Sequence, residues 1–375
     1  MSSHNNVYNL QSRIIDWLRV PLVILVVYIH NSGIGTSISK INIHWRNLAF
    51  DDLYNLLRII FSEIFPRIAV PSFFLISGYL FFFSLNSYNF AVYKKKLSSR
   101  VYSLLIPFFL WNLLTILFNL FFSYLHNYLF QNTPYTIPSI TYSSEDLLSA
   151  FWAFKDTPYP IDVPLWYIRD LILLSIMSPL IYWSLKKFNW KYLIILFIFI
   201  LFDFQIKDIY PFFSSIFYFS FGAYFSIFRK TIIGEFKHYE FISYILAFLF
   251  LLLSLFTFNL GGKLYNTFKQ LYIFWGIISI FNITTRLFIS KKANNNKLLS
   301  NSVFVIYAFH GSIVFMLYDY LIMGKIKSLG IPMLLLISYF LAPLIKISLC
   351  IVVFYLLNKY SPRLLVVLTG KRSGR

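Results

Sequence analysis

The chain of 375 residues is 58% hydrophobic and only 13% charged, whereas a water-soluble domain carries about 25% charged residues. This composition and a mean hydropathy of +0.68 exclude an ordinary soluble domain and indicate a membrane protein. Contact with anionic lipid headgroups explains the net charge of +19 without a nucleic-acid partner, and the single cysteine, Cys350, excludes an internal disulfide bond and a cysteine-based metal cage.

Apolar residues occur in blocks of roughly 20 separated by short polar loops, which is typical of a membrane helix bundle and not of a β-barrel. An amphipathic helix is predicted over 48–65, before the second span. We predict an all-α fold, a polytopic membrane helix bundle of about ten transmembrane helices, over 14–32, 66–84, 101–125, 164–184, 190–205, 210–228, 239–258, 268–289, 302–322 and 332–357.

The placement of charges sets the predicted topology. With the N-terminus in the cytoplasm, most Lys and Arg residues fall in the inside loops and tails, as the positive-inside rule expects. We predict cytoplasmic termini and a location in the cytoplasmic (inner) cell membrane. The chain then consists of a cytoplasmic tail (1–13), a transmembrane domain (14–357) and a basic cytoplasmic tail (358–375). Pro and Tyr residues in the longest outside loop, 126–163, indicate an ordered lid or rim.

The first span carries an acid, a guanidinium and an imidazole. Arg19 and His30 are eleven positions apart, so on a helix they share one face, about 16 Å apart, and Asp16 lies one turn before Arg19. Such groups are costly inside a membrane and are candidates for function. The planar fork of Arg19 suits a phosphate or carboxylate, and His30 has the pKa range of a general base. Alternatively, Arg19 pairs with Asp16 and extends to the lipid headgroups, while His30 is an ordinary polar helix end.

The second and third spans add small and basic residues. In the run PSFFLISGY, Ser77 and Gly78 permit either a close approach of two helices or a break that exposes backbone to a cavity. In the run KKKLSSR, Lys96 and Arg100 stand at the cytoplasmic start of a span. They either bind a polyanion that resembles a nucleotide or only set the topology.

The run PLWYIRDL places Trp166 and Arg169 one turn apart on one face, near the outer side. An aromatic ring beside a guanidinium suits stacking against a sugar ring and hydrogen bonds to its hydroxyls. An interfacial aromatic belt with an arginine that reaches the headgroups is the alternative. If Arg169 is buried, we expect Asp170 to be its charge partner.

The run SVFVIYAFHG places His310 roughly halfway along the ninth predicted span, with Tyr307 one turn earlier on the same face. An imidazole at that depth must find a partner, so His310 is either part of a site or a packed histidine whose polar atoms are satisfied. The other histidines are in tails and loops and are expected to be solvent-exposed: His4, His44, His126 and His238.

Taken together, these residues resemble the acyltransferase family 3 membrane proteins, multi-span O-acyltransferases that acetylate bacterial surface polysaccharides. The resemblance covers nearly the whole chain. The basic cluster departs from the tighter arginine spacing common in that family and reads Lys96-x-x-x-Arg100. The motifs that carry the resemblance, in chain order, are Asp16-x-x-Arg19 followed by His30, the run Phe73–Gly78, Arg100 with Pro107 after it, Leu165–Arg169 and Ile306–His310.

The resemblance implies transfer of an acyl group, acetyl being the expected one, from cytoplasmic acyl-CoA to a hydroxyl of a cell-surface glycan or lipid-linked saccharide. His30 is then the general base or an acyl relay, Arg19 the donor clamp, and Asp16 the residue that holds Arg19. Acyl-CoA is a co-substrate, and neither a bound cofactor nor a metal is expected. The alternative is a transporter or exporter of a polysaccharide or lipid-linked sugar, in which the same polar groups line a path.

For the acyltransferase, the predicted donor-binding residues are Lys96, Arg100, Ser77, Gly78, Tyr307 and His310, and the predicted acceptor-binding residues are Trp166 and Arg169.

Overall fold

In the computed structural model, the regular structure of the described residues is entirely helical, and no strand occurs among them, as the all-α prediction requires. The structure describes the chain apart from residues 1, 32, 34–36, 39–40, 42–49, 84, 86–87, 130–141, 155–156, 203–211, 312–314, 316–321, 323 and 372–375. The helices are α1 (Ser2–Ile29), α2 (Phe50–Arg58), α3 (Ala69–Phe82), α4 (Phe90–Arg100), α5 (Ile106–Leu129), α6 (Ser144–Ser149), α7 (Trp166–Ile176), α8 (Ser178–Phe188), α9 (Trp190–Leu201), α10 (Phe212–Ile227), α11 (Ile232–Lys237), α12 (Glu240–Thr257), α13 (Gly262–Ile289), α14 (Lys297–Phe309), α15 (Gly324–Ser328), α16 (Pro332–Tyr360) and α17 (Pro362–Thr369).

Five helical segments of the described chain are long and apolar enough to cross a membrane, and a bent pair, α7 with α8, makes a sixth if it counts as one span. Three more apolar helices, α9, α10 and α14, have 10–17 residues. These segments identify a membrane protein, and the ten spans with cytoplasmic termini stay a prediction. The five segments are Phe50–Phe82, Phe90–Leu125, Glu240–Leu260, Gly262–Ile289 and Pro332–Tyr360.

The segment Phe50–Phe82 is one continuous helical span of 33 residues. The predicted amphipathic helix, 48–65, and the predicted second span, 66–84, are joined in it without a break. A π-helical stretch (Ile59–Ile64) and a 3-10 turn (Phe65–Ile68) lie at the predicted boundary. The altered hydrogen-bond pattern accommodates Pro66, which lacks an N–H, without ending the helix.

The predicted fourth span, 164–184, is not one straight helix. The chain bends by 64° at Met177, between α7 and α8. Pro179 stands in the first turn of α8, where its missing N–H costs nothing, but its ring prevents α7 from continuing through this position.

Helix α1 lies at the centre of the bundle, where it contacts α3, α13, α14 and α16. Its side chains Leu18, Leu22 and Val26 recur every fourth residue and are buried. This periodicity turns one face of α1 into the core from Leu18 to Val26. The end of α1 is therefore held in a fixed place beside α14, which positions the candidate site.

The C-terminal segment packs onto the bundle. Within the predicted C-terminal tail, 358–375, α16 extends to Tyr360, and α17 buries Leu365 and Leu368. The indole N–H of Trp111 on α5 donates a hydrogen bond of 3.0 Å to the carbonyl oxygen of Leu368. At the other end of the chain, α1 begins at Ser2, inside the predicted tail 1–13.

The described part of the predicted outer loop contains the short helix α6 and local hydrogen bonds. Ser143 and Asp146 form a reciprocal capping box at the start of α6. The backbone N–H of Ile161 donates a 2.7 Å hydrogen bond to the carbonyl oxygen of Ala150, which closes the segment after α6 on itself. The Pro- and Tyr-containing stretch before Tyr142 lies outside the described residues.

Candidate functional site

The imidazole rings of His30 and His310 face each other at the ends of two helices. His30 follows the last residue of α1, and His310 follows the last residue of α14. Their ring centroids are 5.1 Å apart, with 54° between the ring planes. His310 was expected halfway along a span, but it lies at the helix end. We call these two residues the histidine pair.

The two rings differ in their surroundings. His30 is exposed, whereas His310 is 3% exposed. Nδ1 of His310 lies 3.1 Å from the carbonyl oxygen of Ile306 and 2.8 Å from that of Tyr307. Because a carbonyl oxygen only accepts, Nδ1 must carry the proton, and in the neutral ring Nε2 is left with its lone pair. Nε2 has no hydrogen-bond partner within the described structure.

Two basic side chains lie near the histidine pair, and one of them, Arg67, is paired with Glu63. Arg67 and Lys346 lie within electrostatic range of His30, and Lys346 also acts on His310. The Lys346 side chain belongs to α16 and is only 5% exposed. Fixed positive groups beside a reacting centre favour negative charge that develops during a reaction.

Asp16 and Arg19 form the ion pair that their spacing suggested. Nη1 of Arg19 is 3.0 Å from Oδ1 of Asp16, and the two side chains are 36% and 47% exposed. A pair this exposed contributes little to stability. The guanidinium lies on α1 about 16 Å before His30 and is open on one side to a ligand or to lipid headgroups.

The basic residues Lys96 and Arg100 converge on one aromatic ring. The ammonium of Lys96 is 5.7 Å, and the guanidinium carbon of Arg100 5.3 Å, from the ring centroid of Phe81. Arg100 also interacts electrostatically with Tyr167 of α7. Sequence reasoning missed Tyr167, although it lies inside the LWYIR motif.

Tyr167 connects the basic cluster with Ser77 and with the histidine pair. Its hydroxyl is 2.9 Å from the hydroxyl of Ser77 and donates to the carbonyl oxygen of Phe73 at 3.3 Å. Its ring centroid is 5.8 Å from that of Tyr307, which in turn is 6.5 Å from that of His310. A series of contacts therefore runs from Ser77 through Tyr167 and Tyr307 to the histidine pair, with Arg100 within electrostatic range of Tyr167.

Gly78 does not face this series. A Cβ at Gly78 would lie 1.9 Å from the carbonyl oxygen of Phe219, so this residue faces the backbone of α10. Within the predicted donor group, Ser77 and Gly78 thus point to different neighbours, one to Tyr167 and the other to a packed helix.

The predicted acceptor residues Trp166 and Arg169 contact the protein interior and the loop before α7. Trp166 packs against Phe74, with ring centroids 6.1 Å apart. Nη1 of Arg169 donates to the carbonyl oxygens of Trp152 and Pro158 at 2.9 and 2.8 Å. Nε and Nη2 of Arg169 donate to Oδ1 of Asp170 at 3.2 and 3.1 Å, which confirms the expected charge partner.

Asp162 is a second residue that sequence reasoning did not select. It is 3% exposed, its backbone N–H donates to Oδ1 of Asn112 at 3.1 Å, and its carboxyl is hydrogen-bonded by Thr115. The available signal was a lone acid between apolar residues just before a predicted span. Among the described residues, no group of three or more His, Cys, Asp or Glu side chains has the arrangement of a metal site.

Comparison with known proteins gives this arrangement a family. The succinoglycan biosynthesis protein ExoH of Rhizobium meliloti (strain 1021) is 28% identical over 177 residues, which are 46% of this chain and 42% of that protein, so the similarity spans less than half of either. No solved structure matches the chain. A family model described as "Acyltransferase domain" matches residues 13–358, which include both histidines, the Asp16–Arg19 pair and the basic cluster. The chain therefore belongs to the acyltransferase family 3 that its motifs resemble.

Proposed function

We propose that this protein is an O-acyltransferase of the cytoplasmic membrane that moves an acyl group, acetyl being the expected one, from cytoplasmic acyl-CoA to a hydroxyl of a cell-surface glycan. Membership of the acyltransferase family supports the reaction class. The name of the relative ExoH, a polysaccharide biosynthesis protein, supports the acceptor class.

The observation that carries the proposal is the series of side chains from Arg100 through Tyr167 and Tyr307 to the histidine pair. The phosphates of acyl-CoA cannot enter the apolar interior, but its thin pantetheine arm carries no charge. In the proposal, Lys96 and Arg100 bind the nucleotide end, and the arm extends along this series. Arg19, held by Asp16, is a further clamp for the phosphates.

The chemical step takes place at His30. The acceptor hydroxyl gives its proton to the imidazole of His30, and its oxygen attacks the thioester carbon. The carbon–sulfur bond then breaks, the sulfur leaves as the CoA thiol after taking up the proton, and the acyl group remains on the glycan oxygen as an ester. The positive charges of Arg67 and Lys346 stabilise the negative charge on the oxygen of the tetrahedral intermediate.

Membrane vesicles supplied with acetyl-CoA labelled in the acetyl group test the proposal. We expect label in the glycan with the native protein, and a loss of about 100-fold or more with His30→Ala, because a general base contributes that much. His238→Ala is the matched control, since His238 is exposed on the surface and should leave transfer unchanged. Movement of glycan across the membrane without any labelled ester would instead identify a transporter.

A further inference from the structure

Two buried polar atoms near the histidine pair have no hydrogen-bond partner in the described part of the chain: Nε2 of His310 and Oδ2 of Asp162. Both residues are 3% exposed. Polar atoms removed from water are nearly always paired in native proteins, because their desolvation is costly otherwise. Two such atoms beside one candidate site point to a ligand that pairs with both.

The two residues belong to one region of the structure. Gly311 follows His310, and a Cβ at Gly311 would lie 2.8 Å from Cγ of Pro164 and 3.8 Å from Oδ1 of Asp162. The hydroxyl of Tyr307 donates a hydrogen bond to the carbonyl oxygen of Pro164. The segment that begins with Asp162 therefore lies directly against the end of α14.

The surroundings of Asp162 hold its carboxyl in place and leave one oxygen available. Asn112 accepts the backbone N–H of Asp162, and Thr115 hydrogen-bonds the side chain. Burial raises the pKa of the Asp162 carboxyl well above its usual range, which favours the protonated form. A protonated carboxyl donates a hydrogen bond, and Nε2 of His310 accepts one. One donor and one acceptor together complement a hydroxyl group, which can accept one hydrogen bond and donate another.

We propose that Asp162 and His310 form an acceptor subsite that binds a sugar hydroxyl adjacent to the hydroxyl that is acylated. The bound hydroxyl accepts a hydrogen bond from Asp162 and donates one to Nε2 of His310, and the neighbouring hydroxyl of the same ring faces His30. The ligand class is thus a sugar with two vicinal hydroxyls. This subsite rests on the proposed function, and it moves His310 from the donor side to the acceptor side.

Arg169 has a supporting part in this arrangement. Its guanidinium is fully engaged with Asp170 and with the carbonyl oxygens of Trp152 and Pro158. Arg169 therefore anchors the loop that leads into Asp162. In the proposed subsite Asp162, and not Arg169, contacts the acceptor.

Binding of glycan, measured apart from transfer, tests the subsite. The probe is surface polysaccharide from cells that make the protein, freed of ester-linked acyl groups by mild alkali and labelled at its reducing end. Full-length protein in lipid vesicles is sedimented with the probe, and CoA binding is measured in parallel. The variants are Asp162→Leu on the loop and His310→Phe on α14, and the control is Glu145→Gln, an exposed acid of the same loop.

We expect each of the two variants to weaken glycan binding about tenfold or more, since each removes a hydrogen bond in a buried site. CoA binding should be unchanged in all three variants. Because the two substitutions are on different elements, one decides the question if the other fails to fold. Native glycan affinity in a folded variant would overturn the subsite, because Nε2 of His310 and Oδ2 of Asp162 would then only bind water. A loss of CoA binding as large as the loss of glycan binding would overturn it too.

The outcomes also separate this subsite from the acyltransfer reaction. Glycan binding that depends on Asp162 and His310 without any transfer of label would retain the subsite and refute the acyltransferase. Transfer and glycan binding that are both indifferent to the two substitutions would refute the subsite alone.

Discussion

Gly78 of α3 and Gly222 of α10 each lie against the backbone of the other's helix. A Cβ at Gly78 would be 1.9 Å from the carbonyl oxygen of Phe219, and one at Gly222 would be 1.8 Å from that of Leu75. The two helices therefore meet backbone to backbone, as small residues permit in membrane helix pairs. This contact fixes Ser77, the residue before Gly78, opposite Tyr167.

Gly78→Ala should destabilise the protein by about 1–3 kcal/mol, because a methyl group at this position must push apart two backbones that cannot rotate away. Thermal unfolding in detergent measures the effect. Gly234→Ala is the control, since the atom nearest to its added methyl is the hydroxyl of Thr231, which can rotate. Equal unfolding temperatures for the two variants would contradict the backbone contact.

Ser77→Ala and Tyr167→Phe should be coupled. The two hydroxyls share a hydrogen bond of 2.9 Å. Either substitution alone removes this bond, so the second substitution costs less in the variant that already carries the first. We expect a coupling free energy of about 0.5–1.5 kcal/mol in a double-mutant cycle of unfolding. Tyr167→Phe should be the more costly single change, because Tyr167 also donates to the carbonyl oxygen of Phe73. Strict additivity would show that the hydroxyls do not interact.

Arg169→Gln should cost about 3–5 kcal/mol, because it leaves the buried carboxylate of Asp170 without its charge partner. The double variant Arg169→Gln/Asp170→Asn should recover part of this loss. Limited proteolysis near Trp152 should become faster in both variants, since both release the loop. The control is Arg363→Gln, at an exposed arginine. If the loop in Arg169→Gln is cleaved no faster than in this control, Arg169 does not anchor the loop.

Arg19→Lys should raise the KM for acetyl-CoA by about tenfold, because an ammonium cannot form the bidentate contact of a guanidinium with a phosphate. Initial rates of label transfer at varied donor concentration measure this. The matched control is Arg13→Lys, at an exposed residue in the same helix. Near-normal donor use by Arg19→Lys would leave Arg19 as only the ion-pair partner of Asp16.

The predicted topology can be tested with introduced cysteines, because the one native cysteine, Cys350, is buried. Ser144→Cys should react with a membrane-impermeant maleimide in sealed right-side-out vesicles, and Lys95→Cys should react only after the vesicles are opened. Ser144 lies in the predicted outer loop, 126–163, and the positive-inside rule places Lys95 on the cytoplasmic side. Reaction of both positions from the outside would refute the assignment of ten spans.

The sequence predicted the features that depend on neighbours along the chain. Hydropathy and helical spacing identify a helical membrane protein, the Asp16–Arg19 pair and the Arg169–Asp170 pair. The same local signals misplaced helix ends, because Pro179 bends a continuous apolar run, whereas the helical segment Phe50–Phe82 continues through Pro66. Apolar content reports burial in lipid, and it does not report where a helix bends.

The amino-acid sequence alone determined the membrane class, the helical fold and the family motifs, since these follow from the order and spacing of residue types. Only the tertiary structure placed His30 beside His310, connected Tyr167 with Ser77, and put Asp162 against the end of α14. These partners lie far apart along the chain. Their contacts arise from which faces of the helices pack together, and no local pattern encodes that choice.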